Sequence, residues 1–237
     1  MKLDDAQPDS PTGDDAAPRA AHVKRHARVH FEQWARSYDR SRLNELVFYP
    51  SIRACLEEIT LWLPEHGDAP FNMLDVGCGT GTLLALASRL RQAGQLVGLD
   101  YAEAMVRRAA EKFAGLDTPV RPHVVRGDAE RLPFHDRTFD VVSCCNSFHH
   151  YPRQAEAVRE FRRVLRPGGV LILIDGFRDN VIGWVVFDVG VAMVEGHVHH
   201  AAWSEIKRMV HDAGFANLRQ RKKNVLAPLL INTATVG

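Results

Sequence analysis

Between Phe71 and Ile174 short apolar runs alternate with stretches of helical period, and this alternation leaves few folds open. Phe71–Val76, Gln95–Leu99, His123–Arg126, Phe139–Cys145 and Val170–Ile174 read as strands. Thr82–Arg91, Ala102–Phe113 and Arg153–Leu165 read as the helices between them, with Arg166-Pro167-Gly168-Gly169 as a turn. Near-continuous apolar strands separated by helices mean a parallel sheet covered on both faces. Right-handed crossovers make such a sheet doubly wound. The pattern then changes. Ala201–Ala213 reads as a helix, followed by two strands in succession, Leu218–Val225 and Leu229–Val236. A connection that short forces the two strands to pair antiparallel, because a parallel crossover needs a dozen or more residues. The fold class is therefore α/β, with a mostly parallel doubly wound sheet and an antiparallel strand at its C-terminal end.

Composition narrows the function. With 30 Lys+Arg against 29 Asp+Glu the net charge is +1, which lacks the basic surplus that a dedicated nucleic-acid binder uses to displace counterions. Cys55, Cys78, Cys144 and Cys145 include no CxxC pair, so neither a disulfide framework nor a zinc ribbon is expected, and a reducing cytoplasm fits. The N-terminal fifteen residues hold no apolar core of a secretory signal. Val181–Val194, the longest apolar run, contains Asp188 and is too short to span a bilayer. Residues 1–28, rich in Asp, Pro and Ala, read as a disordered tail. Residues 29–237 read as one domain, with an N-terminal helical cap over 29–66. In that cap Phe31, Trp34, Ala35 and Tyr38 share one helix face, and Ser51–Leu63 forms a second helix.

The segment Leu74-Asp75-Val76-Gly77-Cys78-Gly79-Thr80-Gly81 closes the first strand and opens the first helix. Glycines permit a sharp turn and a close approach of ligand to backbone, and the helix N-terminus presents free amides. A dinucleotide fingerprint would place its third Gly one residue later, where this chain has Thr82. Asp100, at the end of the second strand, is placed either to accept ribose hydroxyls or to cap the next helix. Exposed at a strand end, it is expected to contribute little to the fold. Gly127-Asp128-Ala129 follows the third strand, and Asn146-Ser147-Phe148-His149-His150-Tyr151 follows the fourth. The latter lies near the switch point where ligands bind in such sheets.

These motifs, in this order, resemble the class I S-adenosylmethionine-dependent methyltransferases, which have a Rossmann-like fold. Asp75, Gly77, Gly79 and Gly81 match that family's E/D-x-G-x-G-x-G motif, and the Gly127-Asp128-Ala129 stretch is followed by a matching Leu132-Pro133-Phe134-His135-Asp136-Arg137-Thr138-Phe139-Asp140. The resemblance covers roughly Phe71 to Asp175. It implies S-adenosylmethionine as cofactor, held by Asp75, Gly77, Cys78, Gly79 and Gly81 at the methionine end. Asp100 would then hold the ribose, Tyr101 and Met105 would pack on adenine, Asp128 and Ala129 would meet its polar edge, and Asn146 would lie close by. Asp140 is expected to be structural. His149 and His150 either assist the acceptor or pack.

Phe31–Asp39 resembles quinone-biosynthesis C-methyltransferases, which implies that Tyr38 closes over the cofactor. Those enzymes carry an Arg-Asn or Arg-Asp pair where this chain has Phe148-His149-His150. The expected activity is therefore direct in-line methyl transfer to a small-molecule acceptor, with a quinone-type C-methyltransferase or a non-catalytic cofactor-binding protein as alternatives. The apolar segment 177–200 is either a packed helix or a lid over an apolar or aromatic acceptor. His197-Val198-His199-His200 has no recognisable set of partner ligands nearby in sequence, so no metal is expected.

Overall fold

A computed structural model describes residues 42–176, 199–223 and 228–237. The expected tail, the helix carrying Tyr38, and nearly all of the expected lid (177–198) lie outside these residues. Helix α1 spans Arg42–Trp62 with Pro50 inside it, and starts well before the expected Ser51. Next come β1 Phe71–Val76, α2 Thr82–Ala87, β2 Ala93–Asp100, α3 Glu103–Ala114, β3 His123–Arg126 and β4 Phe139–Cys145. The described chain ends with α4 Gln154–Val164, β5 Leu165–Gly176, α5 Trp203–Asp212, β6 Ala216–Lys223 and β7 Leu229–Thr235.

The seven strands form one sheet in the order β3-β2-β1-β4-β5-β7-β6. All pairs are parallel except those of β7, which runs antiparallel to β5 and to β6. The chain is wound outward from β1 to β3 and then resumes at β4 on the other side of β1, so the switch point of the sheet lies between the parallel strands β1 and β4.

Alternate residues of each central strand enter different cores, as a two-residue period requires. Leu171 and Leu173 of β5 join Leu74, Val76 and Val142 beneath Phe161 of α4 and Ile206 of α5. Val170, Ile172 and Ile174 join Met73 and Val141 beneath Ile59 of α1, Leu84 of α2 and Phe113 of α3. Truncating a fully buried aromatic such as Phe161 to Ala costs about 3–5 kcal/mol, so either helical layer is a large share of a marginal stability. The adjacent Cys144 and Cys145 face opposite cores, and all four cysteines are free.

Helix α2 and strand β5 also differ from the sequence expectation. Helix α2 ends at Ala87, short of Arg91, where the Ser88 hydroxyl donates to the Ala85 carbonyl at 2.9 Å. Strand β5 absorbs the expected turn at 166–169 as a bulge, because Phe139 pairs with Leu165 but Val141 pairs with Val170. The bulge is tied by Asp140, whose carboxylate accepts from Arg166 Nη1 at 3.0 Å and from the Asn72 amide at 2.8 Å. That is the structural role expected of Asp140.

Candidate functional site

Beyond the carboxyl ends of β1, β2, β3 and β4 lies a cavity of about 560 Å³, a size typical of cofactor and small-molecule sites. Its floor is the turn after β1. Gly77, Gly79 and Gly81 have φ of +71°, +54° and +77°, a region that costs an L-residue about 1–2 kcal/mol. The turn is also crowded. A Cβ on Gly77 would lie 2.2 Å from Ser147 Oγ, and one on Gly81 would lie 2.4 Å from Phe113 Cζ. A Cβ on Gly79 would meet no protein atom within 4 Å. Gly77 and Gly79 both line the cavity, and of the two only Gly79 has room for a Cβ.

Asp75, 3% exposed, lies on the wall and accepts a 2.6 Å hydrogen bond from the Ser143 hydroxyl. Burial raises its carboxyl from 3.8 to about 7, with Ser143 opposing and the Asp100 charge adding to the rise. A buried carboxyl poised in this way gains most from a cation placed against it.

Asp100 departs from expectation. Its Oδ2 accepts from the Gly79 amide and its Oδ1 from the Ala102 amide, both at 2.9 Å. It therefore braces the glycine turn and the entry to α3, although the residue in the N-cap position of α3 is Ala102. Burial raises its pKa, opposed by the amides of Ala102, Gly79 and Tyr101. Each carboxylate oxygen keeps a second lone pair, so ribose hydroxyls can still be accepted.

Cys78, Tyr101, Met105, Asp128, Ala129 and Asn146 also line the cavity. Tyr101 is 39% exposed while Met105 is buried. Asp128 Oδ1 accepts from the Glu130 amide at 3.0 Å. Asn146 has φ +55°, a conformation that Asn tolerates better than most residues, and its side-chain amide donates to Ser51 Oγ on α1. Burial, with the Asp100 and Asp75 charges, lifts the Cys78 thiol well above the ordinary range, which disfavours its thiolate.

The two histidines expected near the acceptor part company. His150 lines the cavity. His149 is not among its lining residues and turns to β5, where its Nδ1 lies 2.6 Å from Asp175 Oδ1 and its amide donates to Asp175 Oδ2 at 2.9 Å. Burial would raise the Asp175 carboxyl, but His149 and His200 bring it down to about 2.

Several wall residues escaped the sequence reading. Lys112 on α3 donates to the hydroxyls of Thr80 and Thr82 at 3.0 and 2.9 Å. Ser147 bridges the Val76 carbonyl at 3.2 Å and Tyr151 Oη at 3.0 Å. Buried Glu130 accepts from the Arg153 amide and Nε at 2.8 and 2.9 Å. The one available signal for Lys112 was its helical spacing from Met105, seven residues earlier.

The fold is a doubly wound α/β sheet with a glycine-turned cleft beyond the carboxyl ends of its central strands. Residues 74–173 match the family described as methyltransferase domain. The demethylmenaquinone methyltransferase of Listeria monocytogenes is 33% identical over 156 residues, 65% of this chain and 63% of that protein. The chain thus matches somewhat less than two thirds of that relative's length. The demethylmenaquinone methyltransferase of Lactiplantibacillus plantarum is 27% identical over 215 residues, 82% of this chain and 89% of that protein. Among solved structures, a SAM-dependent methyltransferase from Aquifex aeolicus shares the fold with a TM-score of 0.64 at 23% identity, covering 87% of this chain and 98% of its own. The [4+2]-cyclase SpnF shares it with a TM-score of 0.60 at 22% identity, covering 72% and 77%, so fold alone does not set the reaction. Residues 74–173 thus resemble a methyltransferase domain, and the chain is similar to the demethylmenaquinone methyltransferases.

Proposed function

We propose that this protein transfers the methyl group of S-adenosylmethionine to a small acceptor with an apolar or aromatic body. The observation that supports this most is the pairing of the open Gly79 turn with the buried Asp75 carboxyl on one cavity wall. That arrangement suits a ligand carrying positive charge close to backbone. When bound, the cofactor supplies a methyl group already activated on a sulfonium. The chain's own residues then have modest tasks. The turn from Gly77 to Gly81 positions the methionine end, and Asp75 holds a compensating negative charge once a cation lies beside it. Asp100 orients the nucleoside through lone pairs not used by the Gly79 and Ala102 amides, and Asp128 lies on the same wall at its polar edge. Phe48, Tyr49 and Ile52 of α1 line the cavity as apolar cover that excludes water. His150, on the cavity wall, takes a proton from acceptors that must lose one. His149 supports the turn that carries it.

A quinone-type acceptor methylated at carbon is the second reading, favoured by similarity to demethylmenaquinone methyltransferases over 82% of the chain. Incubation with labelled S-adenosylmethionine and a panel of phenolic, quinone and amine acceptors tests both. Label on a ring carbon supports the quinone reading, and label on oxygen or nitrogen supports the general one. Tight cofactor binding with no label on any acceptor would overturn methyl transfer and leave a non-catalytic binding protein.

A further inference from the structure

A second cluster of chemistry-bearing groups lies outside the cavity wall, where β4 and β5 end. His149 comes from the short 3-10 turn Phe148–His150, Asp175 from the end of β5, and His200 from the approach to α5. Their side chains are 7%, 5% and 1% exposed. His149 Nδ1 lies 2.6 Å and His200 Nε2 4.0 Å from the same Asp175 Oδ1. All three donor atoms fall within 4.8 Å of one another, and the two imidazole rings stack at 4.3 Å.

Bonds that do not involve the rings hold the three segments together. The His199 amide donates to the His149 carbonyl at 2.9 Å. Gln154 Nε2 bridges the carbonyls of Phe148 and His199 at 3.0 and 2.8 Å. The amides of His149 and Gly176 fix the Asp175 carboxylate at 2.9 and 2.8 Å. The donors therefore converge because the main chain brings them there.

We propose that His149, Asp175 and His200 bind a divalent first-row transition cation, with Zn²⁺ the best-fitting ion. Zinc bonds of about 2.0–2.2 Å in tetrahedral geometry place donors roughly 3.4 Å apart. The separations of 2.6 and 4.0 Å lie on either side of that value, so each needs to change by less than about 1 Å. Two imidazoles with one carboxylate suit Zn²⁺, Fe²⁺ or Ni²⁺ and not Mg²⁺ or Ca²⁺, which prefer oxygen ligands. Three protein donors leave a further position for water. The bound cation would join the turn carrying His150 to β5 and to the approach to α5, since the His150 ring packs 4.2 Å from that of His149. The inference is independent of the acceptor and of methyl transfer itself.

The full chain, stripped with chelator and dialysed, is titrated with Zn²⁺ by calorimetry and with Co²⁺ by visible absorption. The expected result is one equivalent of Zn²⁺ at micromolar affinity or tighter, a raised Tm, a four-coordinate Co²⁺ spectrum and no response to Mg²⁺. His200→Gln and Asp175→Asn should each weaken that equivalent at least tenfold, while His211→Gln, on the exposed end of α5, should leave it unchanged. Absence of a stoichiometric equivalent, or an equivalent undiminished in both cluster variants, would overturn the proposal. If the cluster variants do not fold, the wild-type Co²⁺ spectrum decides. A four-coordinate spectrum with imidazole nitrogen supports the site, and a six-coordinate aquo-type spectrum sinks it.

Discussion

Replacing Gly79 by Ala separates the cost of backbone strain from the cost of filling a ligand's space. Gly79 and Gly214 both have positive φ, +54° and +82°, and at both an added Cβ meets nothing within 4 Å. Each Gly→Ala change should therefore cost about 1–2 kcal/mol through the left-handed backbone alone. For a domain of this size that lowers Tm by about 2–8 °C. Gly79 lines the cavity, whereas Gly214 follows α5 and is not part of the wall. A methyl group forced into occupied space costs about 1–3 kcal/mol more, which is roughly a 5- to 150-fold loss of affinity. Calorimetry with S-adenosylmethionine and thermal melts on both variants measure the two quantities. The expected outcome is similar melting losses, with weakened binding in Gly79→Ala alone. Wild-type affinity in Gly79→Ala would refute the placement of the cofactor against this turn.

Asp75→Asn should flatten part of the pH dependence of stability. The folded carboxyl titrates at about 7 instead of 3.8, so the folded state binds the extra proton between those values. Its contribution is full below about 3.8 and is lost as pH rises through 7. Wild-type Tm should fall relative to Asp75→Asn over that range, and parallel Tm profiles would contradict the burial argument. Asp100→Ala should lower both Tm and cofactor affinity, because it strands the Gly79 and Ala102 amides; an unchanged melt would return Asp100 to a purely ligand-binding role. His150→Ala should slow methyl transfer without changing cofactor affinity, with the smallest loss for acceptors already ionised, as rate and binding measurements would show. Glu58→Ala should destabilise by about 1–3 kcal/mol, since its buried carboxylate holds Arg219 and Arg221 of β6; chemical denaturation reads this directly.

The central fold was legible because apolar period and glycine spacing are local properties. β3 and β4 have the bounds that the sequence implies, and β7 runs antiparallel as the short connection before it demands. The β5 bulge was not legible, since Pro167 and two glycines look like a turn until Asp140 and Arg166 clamp them into the sheet. The histidines show the same limit. Nothing local marks His150 as facing the cavity and His149 as facing β5. That division follows from Asp175, 26 residues away, which captures one ring and leaves the other. His199-His200 looked solitary for the same reason, because its partners lie in two other segments. Lys112 was hidden because a lysine on an amphipathic helix ordinarily faces water, and here two threonine hydroxyls capture its ammonium.

The strand order has a consequence for how the chain assembles. β6 precedes β7 in sequence, but β7 lies between β6 and β5. In the finished sheet β6 pairs only with β7, so it has no strand to join until β7 is made. Synthesis at about 5–20 residues per second gives β1 to β5 seconds to form before β7 exists. The parallel half, with the glycine turn, can then condense first, and β7 later completes the sheet by hydrogen bonding on both sides at once. A stall or cleavage between Lys223 and Leu229 would leave the β5 edge bare. Since buried apolar residues line that edge from Val170 to Ile174, such a fragment would be prone to pair edge to edge with another copy of itself.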